Sequence, residues 1–211
     1  MTTAVQAQTD AAVHWNWAKR AGFRFAFVYL LLNCLPSMGT VSLAAGVPGG
    51  DYIAKPFEAM WRAVLPWVAT RVFGVTGAAA TFIENNGSGD TTLNYVEVFC
   101  WLVFSGIVAT VWTALDRRRP KYSVLYDWLY LIVRYTLAFT MLAYGLAKVI
   151  PMQMPAPGPG RLIEPLGDFS PMGVLWTFMG VSPAYEIFCG LAETSGGVLL
   201  LFRRTAIAGA W

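Results

Sequence analysis

Apolar residues in this chain come in long blocks, separated by short charged or Gly/Pro-rich breaks, and that punctuation predicts the elements. Residues 1–20 are polar and rich in Ala, Thr and Gln, and read as a cytoplasmic tail. After Lys19, Arg20 and Arg24 an apolar run from Phe25 to Leu35 closes at Pro36, which predicts a first span over about 22–36. The small-residue triplet Ser42-Leu43-Ala44 leaves a cleaved signal peptide as the alternative, against which the long charged leader argues. Residues 37–93 form a long outer connection. Within it Phe57, Met60, Trp61, Val64, Leu65, Val68 and Val72 recur near helical spacing, with Glu58, Arg62 and Arg71 between them. Charges that frequent predict a helix lying at the membrane surface, bent near Pro66, with Trp61 and Trp67 at the interface.

The second span is expected over about 94–115, with Asn94 and Glu97 as a start of capping-box type. Arg117-Arg118-Arg119-Pro120-Lys121 ends it, and Ser123 caps a third span over 124–150 that stops at Pro151. Residues 151–182 are a second outer segment. Ser170-Pro171 and Ser182-Pro183 each set an N-cap residue before a proline at the first helical position. The stretch from Pro171 to Gly180 is only about 15 Å of helix at 1.5 Å per residue, which predicts a re-entrant or interfacial piece. A fourth span follows over 183–202, and the apolar run 205–211 looks like the start of a fifth, cut at Trp211. The fold class is therefore all-α, a polytopic transmembrane helical bundle with four complete spans in a single domain over 21–211, and its first partner is the lipid bilayer.

Composition reinforces this reading. Of 211 residues, 56% are hydrophobic and 13% charged, about half the charged share of a soluble domain, roughly 25%. Basic residues are asymmetric: Lys19, Arg20, Arg24, Arg117, Arg118, Arg119, Lys121, Arg203 and Arg204 fall on one side, and Lys55, Arg62, Arg71 and Arg161 on the other. The positive-inside rule then puts the N-terminus in the cytoplasm. These basic residues flank apolar segments and make no continuous stripe, which excludes nucleic acid as a partner. One histidine, His14, and three scattered cysteines, Cys34, Cys100 and Cys189, give no metal motif and predict no disulfide. No Walker loop, dinucleotide fingerprint or nucleophile elbow is present, so whether the chain is an enzyme stays open.

The candidate chemistry lies inside the third and fourth spans, where a charge is costly and commonly marks a site or a pair. Asp127, Arg134 and Lys148 are spaced by multiples of seven, and with Tyr130, Met141 and Tyr144 they make one stripe. Glu186 and Glu193 repeat the spacing with opposite sign, with Cys189 between them. Counted from the cytoplasmic ends, Arg134 and Glu193 both lie about 15 Å deep, which predicts a direct ion pair between them. Lys148 and Glu186 fall toward the outer end. Two readings stay open: the charges only hold the bundle together, or they form a polar pocket that binds a quinone headgroup or relays protons, with Tyr130 and Tyr144 as hydrogen-bond partners.

The segments Tyr144-Gly-Leu-Ala-Lys-Val-Ile-Pro-Met-Gln-Met-Pro155, Ser170-Pro-Met-Gly-Val-Leu-Trp-Thr-Phe-Met-Gly180 and Phe202-Arg-Arg-Thr205 resemble the DoxX-like bacterial membrane proteins, as does Gly87-Ser-Gly-Asp-Thr91. The resemblance implies a bacterial inner-membrane helical bundle associated with redox complexes, with membrane oxidoreductase subunits as partners. It carries over no catalytic residue and no cofactor beyond a quinone, and analogy of this kind does not fix function. A small-solute or proton transporter built on the same charges, and a structural assembly partner without activity, are the alternatives.

Overall fold

The computed structural model describes residues 15–34, 51–81 and 91–211. The tail through residue 14, the Ser42-Leu43-Ala44 triplet, the Gly46–Gly50 run and the Asn85–Asp90 loop lie outside the described residues. The described chain is helical: α1 (Trp17–Cys34), α2 (Asp51–Arg71), a 3-10 turn (Gly77–Ala80), α3 (Thr92–Leu115), α4 (Ser123–Val149), α5 (Pro159–Ile163), a second 3-10 turn (Leu166–Asp168), α6 (Pro171–Gly180), α7 (Pro183–Leu201) and α8 (Ala206–Gly209). Helices α3, α4 and α7, of 24, 27 and 19 residues, are long and apolar enough to cross a membrane. Only 17–22% of their most apolar windows is buried within the protein, so most of that apolar surface faces outward, as lipid-facing helices require. Helix α1 is not among them; its 18 residues include Lys19, Arg20 and Arg24.

The chain divides into two compact units, with the boundary inside α4 between Val133 and Arg134. In the first unit α1 and α2 pack on α3. One cluster joins Leu32 of α1, Trp61, Leu65 and Ala69 of α2, and Leu93, Val96 and Trp101 of α3. The i, i+4, i+8 spacing of Trp61, Leu65 and Ala69 places them on one helical face, and that face turns inward. Trp61 is thus a core residue, whereas Trp67 is 62% exposed. Helix α2 runs on as one helix through Pro56 and Pro66. A second cluster, Phe23, Tyr122 and Leu129, gathers Trp15, Phe27 and Trp112 around it.

Helix α3 begins one turn earlier than the sequence suggests. Thr91 is its N-cap and accepts from Asn94 N at 3.3 Å, while Asn94 Oδ1 accepts from Thr91 N at 3.1 Å. Asn94 therefore serves as the third helical residue of the box. Glu97, expected to complete the cap, is instead a buried residue of the helix interior, 3% exposed.

In the second unit both serine caps form as the sequence predicts. Ser170 Oγ accepts from Gly173 N at 3.0 Å and Ser182 Oγ from Tyr185 N at 3.3 Å, each with proline at the head of the helix. The run after Phe202 folds into the four-residue α8, whose Gly209 sits against Gly196 and Leu200 of α7.

Candidate functional site

Glycine sets how α4 and α7 meet. A Cβ at Gly145 would lie 2.6 Å from Thr194 N and 2.9 Å from Gly190 O. One at Gly190 would lie 2.7 Å from both Gly145 O and Val149 N. Further along, Gly197 faces Ala138 and Leu142. Residue numbers rise on one helix as they fall on the other, so the pair is antiparallel, with backbones in the close contact that small residues permit.

That register decides which charges meet. With Gly145 against Gly190 and Thr194, Glu193 stands close to the level of Tyr144. Lys148 is then about one turn away, roughly 6 Å, within the span of a lysine side chain, while Arg134 is about 15 Å along the axis. Accordingly Lys148 Nζ donates to both carboxylate oxygens of Glu193, at 2.7 and 2.6 Å. The expected Arg134–Glu193 pair is thus replaced by Lys148–Glu193. Counting depth from the helix ends assumed that the ends are flush, and the glycine contacts set another offset. The guanidinium of Arg134 lies 4.9 Å from the ring centroid of Tyr135.

The lysine side chain is 9% exposed and that of Glu193 36%. The ammonium also lies 5.8 Å from the ring centroid of Tyr144, which itself is 41% exposed. Glu186, two turns before Glu193, is 1% exposed and accepts from Met154 N at 3.0 Å. It ties the first turn of α7 to the loop after α4. Of the charges and tyrosines singled out in the sequence, the structure thus brings together Tyr144, Lys148 and Glu193, and places Glu186 on the same helix with a different partner. Asp127 and Tyr130 are exposed residues on the first unit's stretch of α4. Cys34, Cys100 and Cys189 are free thiols.

Two arginines matter more than their sequence positions indicate. Arg24 is 2% exposed. Its Nε and Nη2 donate to Tyr122 Oη at 2.9 and 2.6 Å, Nη1 to Thr113 Oγ1 at 2.8 Å, and Nη2 to the Asp116 carbonyl at 2.5 Å. Tyr122 Oη donates in turn to Asp116 Oδ2 at 2.9 Å. That phenol, together with Trp112, Arg119 and Arg24, holds the Asp116 carboxyl below the usual carboxylate range against a smaller opposing effect of burial. Arg161 bonds Glu164 Oε2 at 2.6 Å and Thr177 Oγ1 at 3.0 Å and stacks 3.9 Å over Phe169, fastening the loop before α6 to α6 itself. The available signals were a lone arginine at the head of an apolar run and the i, i+3 spacing of Arg161 and Glu164.

The arrangement on α4 and α7 offers one ammonium, one partly accessible carboxylate and one phenol, set among residues apolar enough to span a bilayer. Such a set can donate hydrogen bonds to a carbonyl oxygen and can take up or release a proton. Among the described residues no group of three or more His, Cys, Asp or Glu is placed to hold a metal ion.

No protein-family model matches the sequence, and no solved structure matches it. An uncharacterized protein of Bacillus subtilis (strain 168), YwoB, is 42% identical to the chain over 79 residues, 36% of this chain and 48% of its own length. The chain thus matches about half the length of that curated relative.

Proposed function

We propose that the chain is a multi-pass subunit of the bacterial plasma membrane that works with a redox complex, and that Tyr144, Lys148 and Glu193 are its polar contact with a quinone headgroup. The carrying observation is the Lys148–Glu193 pair itself, a lysine nine-tenths buried between two helices of membrane-spanning length. An ammonium has three donors; two bonds go to Glu193, which leaves one for a quinone carbonyl beside the Tyr144 phenol. Glu193, the more accessible partner, is suited to the proton that accompanies quinone reduction. Tyr144 and Lys148 both lie in the segment that resembles DoxX-like proteins, which supports the same reading.

On this reading α1 is the fourth span and the N-terminus is cytoplasmic. Its 18 residues give about 27 Å of helix. Lys19 and Arg20 lie in its first turn, where long side chains reach the interface. Arg24 is satisfied within the protein by Tyr122, Thr113 and the Asp116 carbonyl, which lowers the cost of its charge.

The test is purification of the full chain from its native membranes in mild detergent, followed by extraction of lipophilic cofactors. Quinone should accompany the wild type and fall at least about tenfold in Lys148→Met and Glu193→Gln, a change equivalent to about 1.4 kcal/mol of affinity. Equal quinone in all three, or solute flux by the purified protein in liposomes, would overturn the redox reading in favour of structural assembly or of transport.

A further inference from the structure

The first unit holds a feature that the quinone reading does not use. Between α1 and α3 lies a cavity of about 690 Å³ lined by three arginines, Arg20, Arg24 and Arg117, with Thr110, Thr113 and Trp17. Three alanines complete its wall. No acid is among its lining residues, and Asp116, whose carbonyl accepts from Arg24, has its carboxylate engaged by Tyr122 Oη at 2.9 Å and by Arg119 at 3.4 Å. Positive charge therefore exceeds negative charge around the cavity.

The donors are unevenly committed. Arg24 spends its guanidinium on Tyr122, Thr113 and the Asp116 carbonyl, and so supplies charge more than free hydrogen bonds. Arg20 uses Nη1 on the carbonyls of Arg117 and Arg119, at 3.4 and 3.1 Å, and its Nε is buried without a hydrogen-bond partner among the described residues. Arg117 uses Nε on the Ala114 carbonyl at 3.0 Å, and the rest of its guanidinium has no hydrogen bond among the described residues. A buried guanidinium nitrogen with no acceptor is costly unless something supplies one. Planar guanidinium forks match the oxygens of a phosphate, and basic pockets between membrane helices on the cytoplasmic side are a recurring way to bind phospholipid headgroups.

We infer that this cavity binds a phosphate group through Arg20 and Arg117, with Arg24 as a fixed positive charge behind them. The chemistry is shared by an anionic phospholipid and by free phosphate. The volume left over beside the arginines, walled by alanine and by the 68% exposed Trp17, gives a lipid's glycerol and first methylenes somewhere to lie. This inference does not depend on what binds at Lys148.

The experiment uses the full chain in detergent with three probes, phosphatidylglycerol, phosphatidylcholine and sodium phosphate, read by native mass spectrometry and by thermal stability. Wild type should retain and be stabilised by phosphatidylglycerol in preference to phosphatidylcholine. Each basic side chain near an anionic headgroup contributes about a fivefold factor, so Arg20→Gln with Arg117→Gln should weaken retention about thirtyfold. Displacement of the lipid by millimolar sodium phosphate, or stabilisation by it alone, assigns the site to free phosphate; indifference to it assigns the site to lipid. Arg203→Gln with Arg204→Gln removes two exposed charges elsewhere and should leave retention unchanged. Arg117→Gln alone, at an exposed residue, keeps the test valid if the double variant does not fold. No preference for phosphatidylglycerol and no response to phosphate, or an equal loss in the Arg203/Arg204 variant, would overturn the inference.

Discussion

A lysine that is nine-tenths buried between apolar helices is tolerable only while its charge is answered, and Glu193 answers it with both oxygens. Removing one partner strands the other in low dielectric. Breaking a buried pair commonly costs 3–5 kcal/mol, and the 36% exposure of Glu193 puts this one near the lower end, about 3 kcal/mol. Lys148→Met and Glu193→Gln should each lower thermal stability by that amount, and the double variant should recover much of it. Arg134→Met combined with Glu193→Gln should be additive, because the register holds those side chains apart. Strict additivity of the Lys148 and Glu193 changes in a double-mutant cycle would show that the pair contributes nothing. Asp116 offers a second residue-scale test, through pH. Its carboxyl is held below the ordinary value of 3.8 chiefly by the Tyr122 phenol. A depressed folded value means stability that is present above the unfolded value and lost as pH falls through the folded one. The stability gap between wild type and Asp116→Asn should therefore be constant from neutral pH down to about 5 and close as pH falls below about 4. A gap that is constant through that acid range would mean the phenol hydrogen bond leaves Asp116 unperturbed.

At the scale of elements, the helix pair α4–α7 rests on contacts that only glycine allows. Ala at 145 or 190 would push a Cβ into partner backbone at 2.6–2.9 Å, and backbone cannot rotate aside as a long side chain can. Either substitution should destabilise the pair by about 1–3 kcal/mol, the usual cost of overpacking, and should loosen the Lys148–Glu193 contact one turn away. Gly106→Ala is the control: a Cβ there meets nothing within 4 Å, and helix propensity favours alanine by up to about 1 kcal/mol. Thermal unfolding of the three variants checks the order; a Gly145→Ala protein as stable as wild type would mean the helices do not approach so closely. The same contacts explain what was legible beforehand. Caps with a side-chain oxygen before proline, at Ser170 and Ser182, are local chemistry and were readable. The existence of α3, α4 and α7 follows from long apolar runs and was readable too. The partner of Glu193 was not, because it depends on the offset between two helices, which Gly145 and Gly190 set and seven-residue spacing does not. Likewise Glu97 looked like a cap because Asn94 resembles an N-cap residue; Thr91, one turn earlier, takes that role. Arg24 passed for a topology signal because its partners, Thr113 and Tyr122, are distant in sequence.

At the scale of the whole molecule, the distribution of charge bears on whether α1 crosses the bilayer, and it can be tested. Helices α3, α4 and α7 alone would put the two ends of the chain on opposite sides of the membrane; adding α1 returns both to one side. Nine basic residues then gather on the cytoplasmic face, at Lys19, Arg20, Arg24, Arg117, Arg118, Arg119, Lys121, Arg203 and Arg204, against Lys55, Arg62, Arg71 and Arg161 outside. With α1 left out, Lys19, Arg20 and Arg24 would be moved to the outer face, leaving six basic residues inside against seven outside, and the bias would be lost. The internal hydrogen bonds of Arg24 remove the main objection to a span, since its charge meets Tyr122, Thr113 and the Asp116 carbonyl before it meets lipid. Single cysteines at the exposed positions Ala18, Lys121 and Asp168, in a background with Cys34, Cys100 and Cys189 changed to serine, read the arrangement directly. In intact cells an impermeant maleimide should label position 168 and reach 18 and 121 only after the membrane is opened. Labelling of 18 but not 121 from outside would reduce the bundle to three spans and would part the head of α1 from Arg117, so that the cavity between α1 and α3 could not exist; labelling of 121 would invert the orientation, and with it the placement of every basic cluster.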